Sequence, residues 1–470
     1  MDAIQAAGGL PLLVGGAVRD ILLGYAPKDL DIEVYQLDVE RLAVALAPFG
    51  RIDAVGRSFG VLKLRTPAGQ EFDFALPRRE SKVGAGHRGF LAAPDPTMTP
   101  QEAAARRDFT INAMAITPAG QVLDFFGGQD DLRARILRHT TAAFAEDPLR
   151  VLRGMQFAAR FDMRLAPATA VLCRQLLAEA PTLAIERVWA EWWKWAAQGV
   201  RLSAGLRVLE ETGWINLYPE LAALVGCEQD PVWHPEGSVF VHSLHVCDAA
   251  AAIAEREGLQ GEQRAVLIFA ALCHDLGKPA TTSHDLDGHI RSPGHDQAGI
   301  APTESLLRRI GCPHGIAAQV VPLVREHMVH IGMTLTDRSV RRLALRLAPA
   351  TIEQWGRLVE ADHSGRPPLP PGNPGAEIVA LAQRLGTAEG RPAPLLFGRH
   401  LIDAGLMQPG PALGALLRRA YQAQIDGVFA TAEEGLAWAA RELQGSGFRV
   451  QGSGVGEEDR GSRIEDRGSA

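Results

Sequence analysis

The chain is poor in several things at once, and each shortage excludes something. No uninterrupted apolar run of roughly 18 residues occurs in the sequence, so no membrane-spanning helix is expected. The opening MDAIQAAGG carries no basic segment ahead of its first apolar run, so no signal peptide is expected either. There are 5 cysteines, an odd count, and no C-x-x-C among Cys173, Cys227, Cys247, Cys273 and Cys312. That excludes a disulfide frame or a C-x-x-C zinc site and fits buried thiols in a reducing cytoplasm. Positive charge is also short, with 48 Lys and Arg against 55 Asp and Glu and a net charge of −7. A general nucleic-acid coat is thereby excluded, whereas a local basic patch is not. One such patch holds Arg78, Arg79, Lys82, Arg88, Arg106 and Arg107 against Glu80, Asp95 and Glu102. Another spans 133–164, with seven arginines against Glu146, Asp147 and Asp162. What is plentiful is apolar residues, 46% of the 470. They are enough for cores in the roughly two to four domains a chain of this length holds.

The most informative stretch is Leu13–Glu33, LVGGAVRDILLGYAPKDLDIE. An apolar run turns on Gly15 and Gly16 and continues into a helix bearing Arg19 and Asp20. Adjacent glycines after a strand let backbone N–H groups approach a phosphate closely. Asp29 and Asp31 follow, and alternation along a strand would point both the same way. Two carboxylates on one face suit a pair of Mg²⁺ ions about 3.5–4 Å apart, the arrangement for in-line phosphoryl transfer. FGVLKLRT (59–66) and QEFDFAL (70–76) read as a hairpin across PAGQ. Asp73 on its second strand is the natural third carboxylate, although Glu71 shares that face. QVLDFFGG (121–128) reads as a further strand ending in a turn.

Two later segments complete this chemistry. RRDFTINAMA (106–115) puts Arg106 and Arg107 at the start of an amphipathic segment. Their planar, doubly donating forks suit triphosphate oxygens. Asn112 is placed to bond a sugar or a backbone group. In EDPLRVLR (146–153), Glu146, Asp147 and Pro148 mark a helix N-terminus. Arg150 lies one turn from Asp147, and Arg153 one turn further. An Asp–Arg pair offers acceptors and donors to a base edge, so C and A could be chosen without a template. The same residues serve equally well as a helix cap. Beyond 144 the pattern is helical, and Trp189, Trp192, Trp193 and Trp195 recur at helical spacing as packing residues.

Taken in order, GGAVRD, KDLDIE, GRSFGVLKL, RRDFTINAMA and EDPLRVLR resemble the bacterial class II tRNA nucleotidyltransferases. These belong to the polymerase-beta-like nucleotidyltransferase superfamily, beside bacterial poly(A) polymerases. The resemblance runs from Leu13 through Phe161. It implies a multidomain α+β chain: a polymerase-beta-like α/β head, then an all-helical neck, body and tail. It implies Mg²⁺-dependent addition of C, C and A, from CTP and ATP, to the 3′ end of tRNA. By that likeness Asp29 and Asp31 bind the metals, with Asp73 as the third catalytic acid. Gly15, Gly16, Arg19, Arg107, Asn112 and Arg153 face the nucleotide, and Glu146, Asp147 and Arg150 select the base. Gln156 stands where the family usually has arginine, which leaves Arg160 as a substitute contact. The loop RESKVGAGHRGFLAAPDP (79–96), with Gly84, Gly86 and Gly89, is full length. In the family that feature goes with the final A addition.

A second constellation follows the order H…HD…D: His242 in VFVHSLHV, His274 and Asp275 in LCHDLGK, and Asp362 in VEADHSGR. It resembles the HD superfamily of metal-dependent phosphohydrolases and implies a phosphodiesterase or phosphatase site. Imidazole and carboxylate together suit Ni²⁺, Mn²⁺, Co²⁺ or Fe²⁺. His274 and Asp275 are adjacent, so a helix end or kink must aim both inward. Lys278 is a candidate phosphate holder, and His295 and His327 fall where further ligands or phosphate contacts occur in the superfamily.

The expected organisation is a head over 1–143, a neck over 144–225 and an HD body over 226–365. A Pro/Gly linker, extended and poorly packed, follows over 366–375. A tRNA-positioning tail spans 376–444, with Gly414 at a close-packing position and Arg418 and Arg419 exposed. Residues 445–470 form a low-complexity end expected to be disordered. The rival readings are an A-adding-only or CC-adding enzyme, or a poly(A) polymerase. From other classes come an HD phosphohydrolase whose head recruits RNA and a non-catalytic tRNA-binding protein. The expected location is cytoplasmic.

Overall fold

The computed structural model describes residues 1–27, 29–56, 60–82 and 90–445. The Arg57–Phe59 part of the GRSF stretch, Gly84, Gly86 and Gly89 of the long loop, and the low-complexity end beyond 445 lie outside the described residues.

The head contains strands β1 (Leu10–Val14), β2 (Asp31–Tyr35), β3 (Arg51–Gly56), β4 (Val61–Arg65), β5 (Glu71–Ala75), β6 (Arg78–Lys82), β7 (Phe90–Pro94), β8 (Ala115–Ile116) and β9 (Val122–Leu123). Seven of them form one sheet in the order β3-β4-β5-β2-β1-β8-β9. Neighbours run antiparallel except β2 and β5, which are parallel. A parallel pair needs a long crossover, supplied here by the Val39–Leu46 helix and the β3–β4 hairpin. That helix starts cleanly because Asp38 accepts the Arg41 backbone N–H at 2.7 Å. It buries Val39, Leu42 and Leu46 against Ile32 and Val34 of β2 and Phe74 of β5. Strand alternation then turns Asp31 and Glu33 to the other face.

The expected 59–76 hairpin is present, with Lys63 opposite Asp73. The strand expected at 121–128 is only Val122–Leu123, because the chain enters a helix at Gly128. The stretch read as a loop at 79–96 has paired ends: β6 and β7 form a separate antiparallel ribbon, Arg78 opposite Pro94 and Lys82 opposite Phe90. Asp29 departs from expectation. β2 begins at Asp31, and Asp29 sits in a bend before it. The β1–β2 register, Leu13 opposite Ile32, would place Asp29 against Gly16. There the chain has already left the strand for a helix.

The neck helix Leu149–Phe161 packs on Ile185–Gln198 and Leu202–Glu211. Trp192 and Trp195 are fully buried, as their spacing implied. Their indole N–H groups donate to Tyr218 Oη and the Leu202 carbonyl, each at 3.1 Å. Trp189 stacks on Phe269 of the body at 5.6 Å. One core therefore runs from Phe109 in the head through Phe144 and Trp192 in the neck to Trp355 in the body.

The 366–375 segment is irregular but docked, not a free spacer. Asn373 donates to Glu360 at 3.3 Å, and a Cβ on Gly375 would lie 2.9 Å from the Trp355 ring. The following helix, Ala376–Arg384, puts Ile378 and Ala382 into the body's core, which reaches Ala388. The tail has its own core, from Leu396 to Ala439. Arg418 and Arg419 are exposed as expected. Gly414 is not a close-packing position: nothing lies within 3.7 Å of where its Cβ would be. Among the described residues, no helix is long and apolar enough to cross a membrane.

Candidate functional site

In the head, the parallel register sets Asp31 directly beside Asp73, with Asp29 in the bend just ahead. Partial burial raises the Asp31 carboxyl above the usual carboxylate range. Arg107 pulls it back, while Asp73, Asp29 and Glu33 push it further up. Asp73 Oδ1 is shielded from solvent without a hydrogen-bond partner, and the Lys63 ammonium is 3.4 Å away. Mutually repelling carboxylates fit divalent cations, which relieve that repulsion.

The glycine turn shapes the opposite wall. Gly15 has φ +71°, a backbone region that favours glycine. A Cβ there would lie 2.8 Å from Arg107 Nη1 and 3.8 Å from Asp31 Oδ2. The missing side chain thus lets the Arg107 guanidinium reach the acids. Glu33 steers it from the other side, with Oε2 3.5 Å from Arg107 Nη2, and also accepts the Tyr35 hydroxyl at 2.6 Å.

Arg19 and Asn112 are buried in the seam between head and neck. Arg19 donates to Asn112 Oδ1 at 2.6 Å and to Asp20 Oδ1 at 2.7 and 2.9 Å, and lies 4.4 Å over the Phe161 ring. A Cβ on Gly16 would come within 3.3 Å of it. Asn112 donates to Asp108 Oδ1 at 3.0 Å, and Arg153 Nε donates to Asp108 Oδ2 at 2.7 Å. Asp108 thus ties the Arg-Arg-Asp segment to the neck helix.

The base-selecting candidates are neighbours, but their pairing differs from the sequence reading. Asp147 Oδ1 accepts the Leu149 N–H at 3.1 Å, a helix-capping contact, and Oδ2 accepts from Arg187 at 2.7 Å. Arg150 does not pair with the Asp147 carboxylate. It donates to the carbonyls of Ala143 and Arg106 at 2.6 and 2.9 Å. Glu146 accepts from Arg106 at 2.9 Å. Gln156 is buried with Oε1 unpartnered, and Arg160 lies 3.9 Å from Asp20.

The body holds the second site. The Gly261–Cys273 helix ends just before His274, the helix end that the adjacent His and Asp required. Around His242 Nε2 lie Asp362 Oδ1 at 3.1 Å, His274 Nε2 at 3.2 Å and Asp275 Oδ2 at 3.7 Å. Asp275 Oδ1 faces the other way, 3.4 Å from His295 Nε2, which is 3.1 Å from His327 Nε2. Two ligand-like trios, His242–His274–Asp362 and Asp275–His295–His327, therefore adjoin through Asp275, and a third, His234–Glu236–His242, shares His242 with the first.

The backbone enforces this arrangement. A Cβ on Gly277 would lie 2.0 Å from the His295 carbonyl, so glycine alone lets the His295 turn approach Asp275. His274, His295 and His327 each place Nδ1 on a backbone carbonyl, of Ala271, Ser292 and Val324, at 2.6–2.7 Å. That leaves Nε2 of each as the free ligand atom. Burial holds His327 down at about 4, with the neighbouring histidines helping, so it is neutral near pH 7. The Asp275 and Asp362 carboxyls are both held below the ordinary range by histidines, against the opposing effect of burial. Lys278 is buried, 2.7 Å from Asp275 and 2.8 Å from Gln229. Asp275, Lys278, His295, His327 and Asp362 line a cavity of about 430 Å³ whose wall also includes Trp233, Arg291 and Arg366.

Sequence reasoning missed Glu33, Asp108, Arg187, His234 and Glu236. Glu33 was signalled by its alternation with Asp31, and Asp108 by its place beside Arg107. Arg187 reaches Asp147 from 40 residues further on, and His234 and Glu236 lie in the irregular segment just before the His242 helix, where no periodicity marks them.

The chain matches the Poly A polymerase head domain over residues 12–138 and the HD domain over 239–385. It is 38% identical over 426 residues to the Multifunctional CCA protein of Xanthomonas campestris pv. campestris (strain B100), covering 88% of this chain and 97% of that one. It is 40% identical over 367 residues to the Multifunctional CCA protein of Xylella fastidiosa (strain M23), covering 75% and 83%. Its fold is that of the Bacillus stearothermophilus CCA-adding enzyme in complex with CTP, with a TM-score of 0.60, 20% identity and 94% and 95% of the two chains covered. The Thermotoga maritima CCA-adding enzyme complexed with tRNA gives 0.58, 19% identity, and 94% and 93%.

Proposed function

The chain belongs to the family of bacterial multifunctional CCA proteins, and from that membership we propose a division of chemistry between its head and its body. It is a CTP- and ATP-dependent tRNA nucleotidyltransferase that adds C, C and A to the tRNA 3′ end. The tRNA 3′-hydroxyl attacks the α-phosphorus of the nucleotide and pyrophosphate leaves. In our reading Asp29, Asp31 and Asp73 hold the divalent cations of the head, taken to be Mg²⁺. When bound, such ions polarise the α-phosphate and lower the pKa of the attacking hydroxyl. Arg107, steered by Glu33 and admitted by Gly15, meets the triphosphate. Arg153 and Arg19, locked through Asp108 and Asn112, keep the neck registered on the head. Glu146, Asp147 and Arg150 present the base-reading edge, with Arg187 holding Asp147 in place.

The observation that carries this reading is Asp31 beside Asp73 under the glycine turn. The test is incorporation of labelled CTP and ATP into three tRNAs ending at the discriminator base, at C and at CC. Extension of all three to CCA is expected. Extension of the CC substrate alone would reduce the protein to an A-adding enzyme.

For the body we propose a metal-dependent phosphodiesterase and phosphatase activity. His242, His274, Asp275 and Asp362, with His295 and His327, hold a transition metal such as Ni²⁺, Mn²⁺, Co²⁺ or Fe²⁺, which their imidazoles favour. When bound, it supplies an activated water for attack on a phosphoester. The Lys278 ammonium, beside Asp275 on the cavity wall, meets the phosphate.

A further inference from the structure

Three of the histidines at the body site are oriented by backbone carbonyls, and His242 is not. Its Nδ1 lies 2.8 Å from Glu236 Oε1, an ion-pair contact off the line of a hydrogen bond, so Nδ1 is buried with this carboxylate beside it and no hydrogen-bond partner. Glu236 sits on the loop before the Val239–Arg256 helix, outside the matched HD domain. Its side chain has no solvent exposure. The same oxygen accepts from His234 Nδ1 at 2.9 Å, while Oε2 is buried without a partner. A buried carboxylate is costly unless something cationic answers it, and here the answering group is a metal-facing imidazole. With Nδ1 turned to Glu236, His242 points Nε2 at His274 and Asp362.

We propose that Glu236 is a positioning residue for the body's metal: it fixes the His242 ring and tautomer and strengthens that imidazole as a ligand. Carboxylate partners of this kind change metal affinity by about 10–100-fold. The inference rests on the body being a metal site, and the experiment tests both. Ni²⁺ is titrated calorimetrically into the full chain, the Glu236→Ala and Glu236→Gln variants, and a His274→Ala plus Asp275→Ala control. Glu236→Ala is expected to bind Ni²⁺ about 10–100-fold more weakly at unchanged stoichiometry. Glu236→Gln, which keeps an oxygen facing Nδ1, should recover most of that loss. CMP and AMP incorporation by the head should stay at the unmutated level in both variants and serves as the folding check. Unaltered Ni²⁺ affinity in Glu236→Ala overturns the inference. So does loss of one Ni²⁺ equivalent, which would make Glu236 a ligand. If Glu236→Ala misfolds, Glu236→Leu, which fills the site without an acceptor, decides: weaker Ni²⁺ binding at unchanged stoichiometry upholds the inference, and unaltered affinity overturns it. A control that binds Ni²⁺ like the unmutated chain would instead refute the metal site itself.

Discussion

Single side chains in the head act through charge or through absence. Asp31 concentrates the charge: it lies beside Asp73, near Asp29 and Glu33, with Arg107 opposing them. Asp31→Ala should lower CMP and AMP incorporation by roughly three orders of magnitude or more, because the cation clamp loses a ligand. Far-ultraviolet circular dichroism should be unchanged, since Asp31 is exposed and outside the core. Substantial transfer by a folded Asp31→Ala protein would defeat the assignment. Gly15 acts through absence. Gly15→Ala both strains φ +71° and puts a methyl against Arg107. A fall of about tenfold or more in kcat/KM for CTP is expected, because the displaced guanidinium no longer meets the triphosphate. A wild-type value would mean the turn does not place Arg107.

Between elements, Asp108 is the joint of the head–neck seam. Burial pushes its carboxyl up, but the Arg153 charge, hydrogen bonds from Asn112 and Arg153, and the Phe109 N–H together hold it below the usual value. A depressed carboxylate contributes stability that is fully present above the unfolded aspartate value, about 3.9, and is lost as pH falls through the folded value. Asp108→Asn should therefore cost about 1–3 kcal/mol at pH 7, and the difference from wild type should shrink below about pH 4. Urea midpoints at pH 7 and pH 3 measure this. A gap that stays constant with pH would place the stabilisation in packing, not in charge.

Across the whole molecule, one core joins head, neck and body, while the two candidate sites draw on separate residues. His274→Ala combined with Asp275→Ala should abolish metal binding and phosphohydrolysis in the body and leave CMP and AMP incorporation unchanged. Both activities measured on one preparation give the answer. Loss of both would show that the body serves the head through the shared core, for instance through Trp189 on Phe269.

Local patterns settled much of this protein before any folding was considered. The Gly-Gly turn, the hairpin carrying Asp73, the tryptophan spacing and the adjacent His274 and Asp275 are each written within a few residues, where alternation and helical period act directly. Partnerships across the chain were not legible that way. Asp147 with Arg187, Arg19 with Asn112, and His242 with Asp362 depend on which surfaces meet. The same holds for the 366–375 segment: proline and glycine announced a linker, and contact with Trp355 docked it against the body. Sequence alone determined which chemistry the chain carries, because residue type and short-range spacing define a donor set. Tertiary structure alone decided which donors face a common point, because hydrogen bonds and ion pairs are set by distances across packed elements.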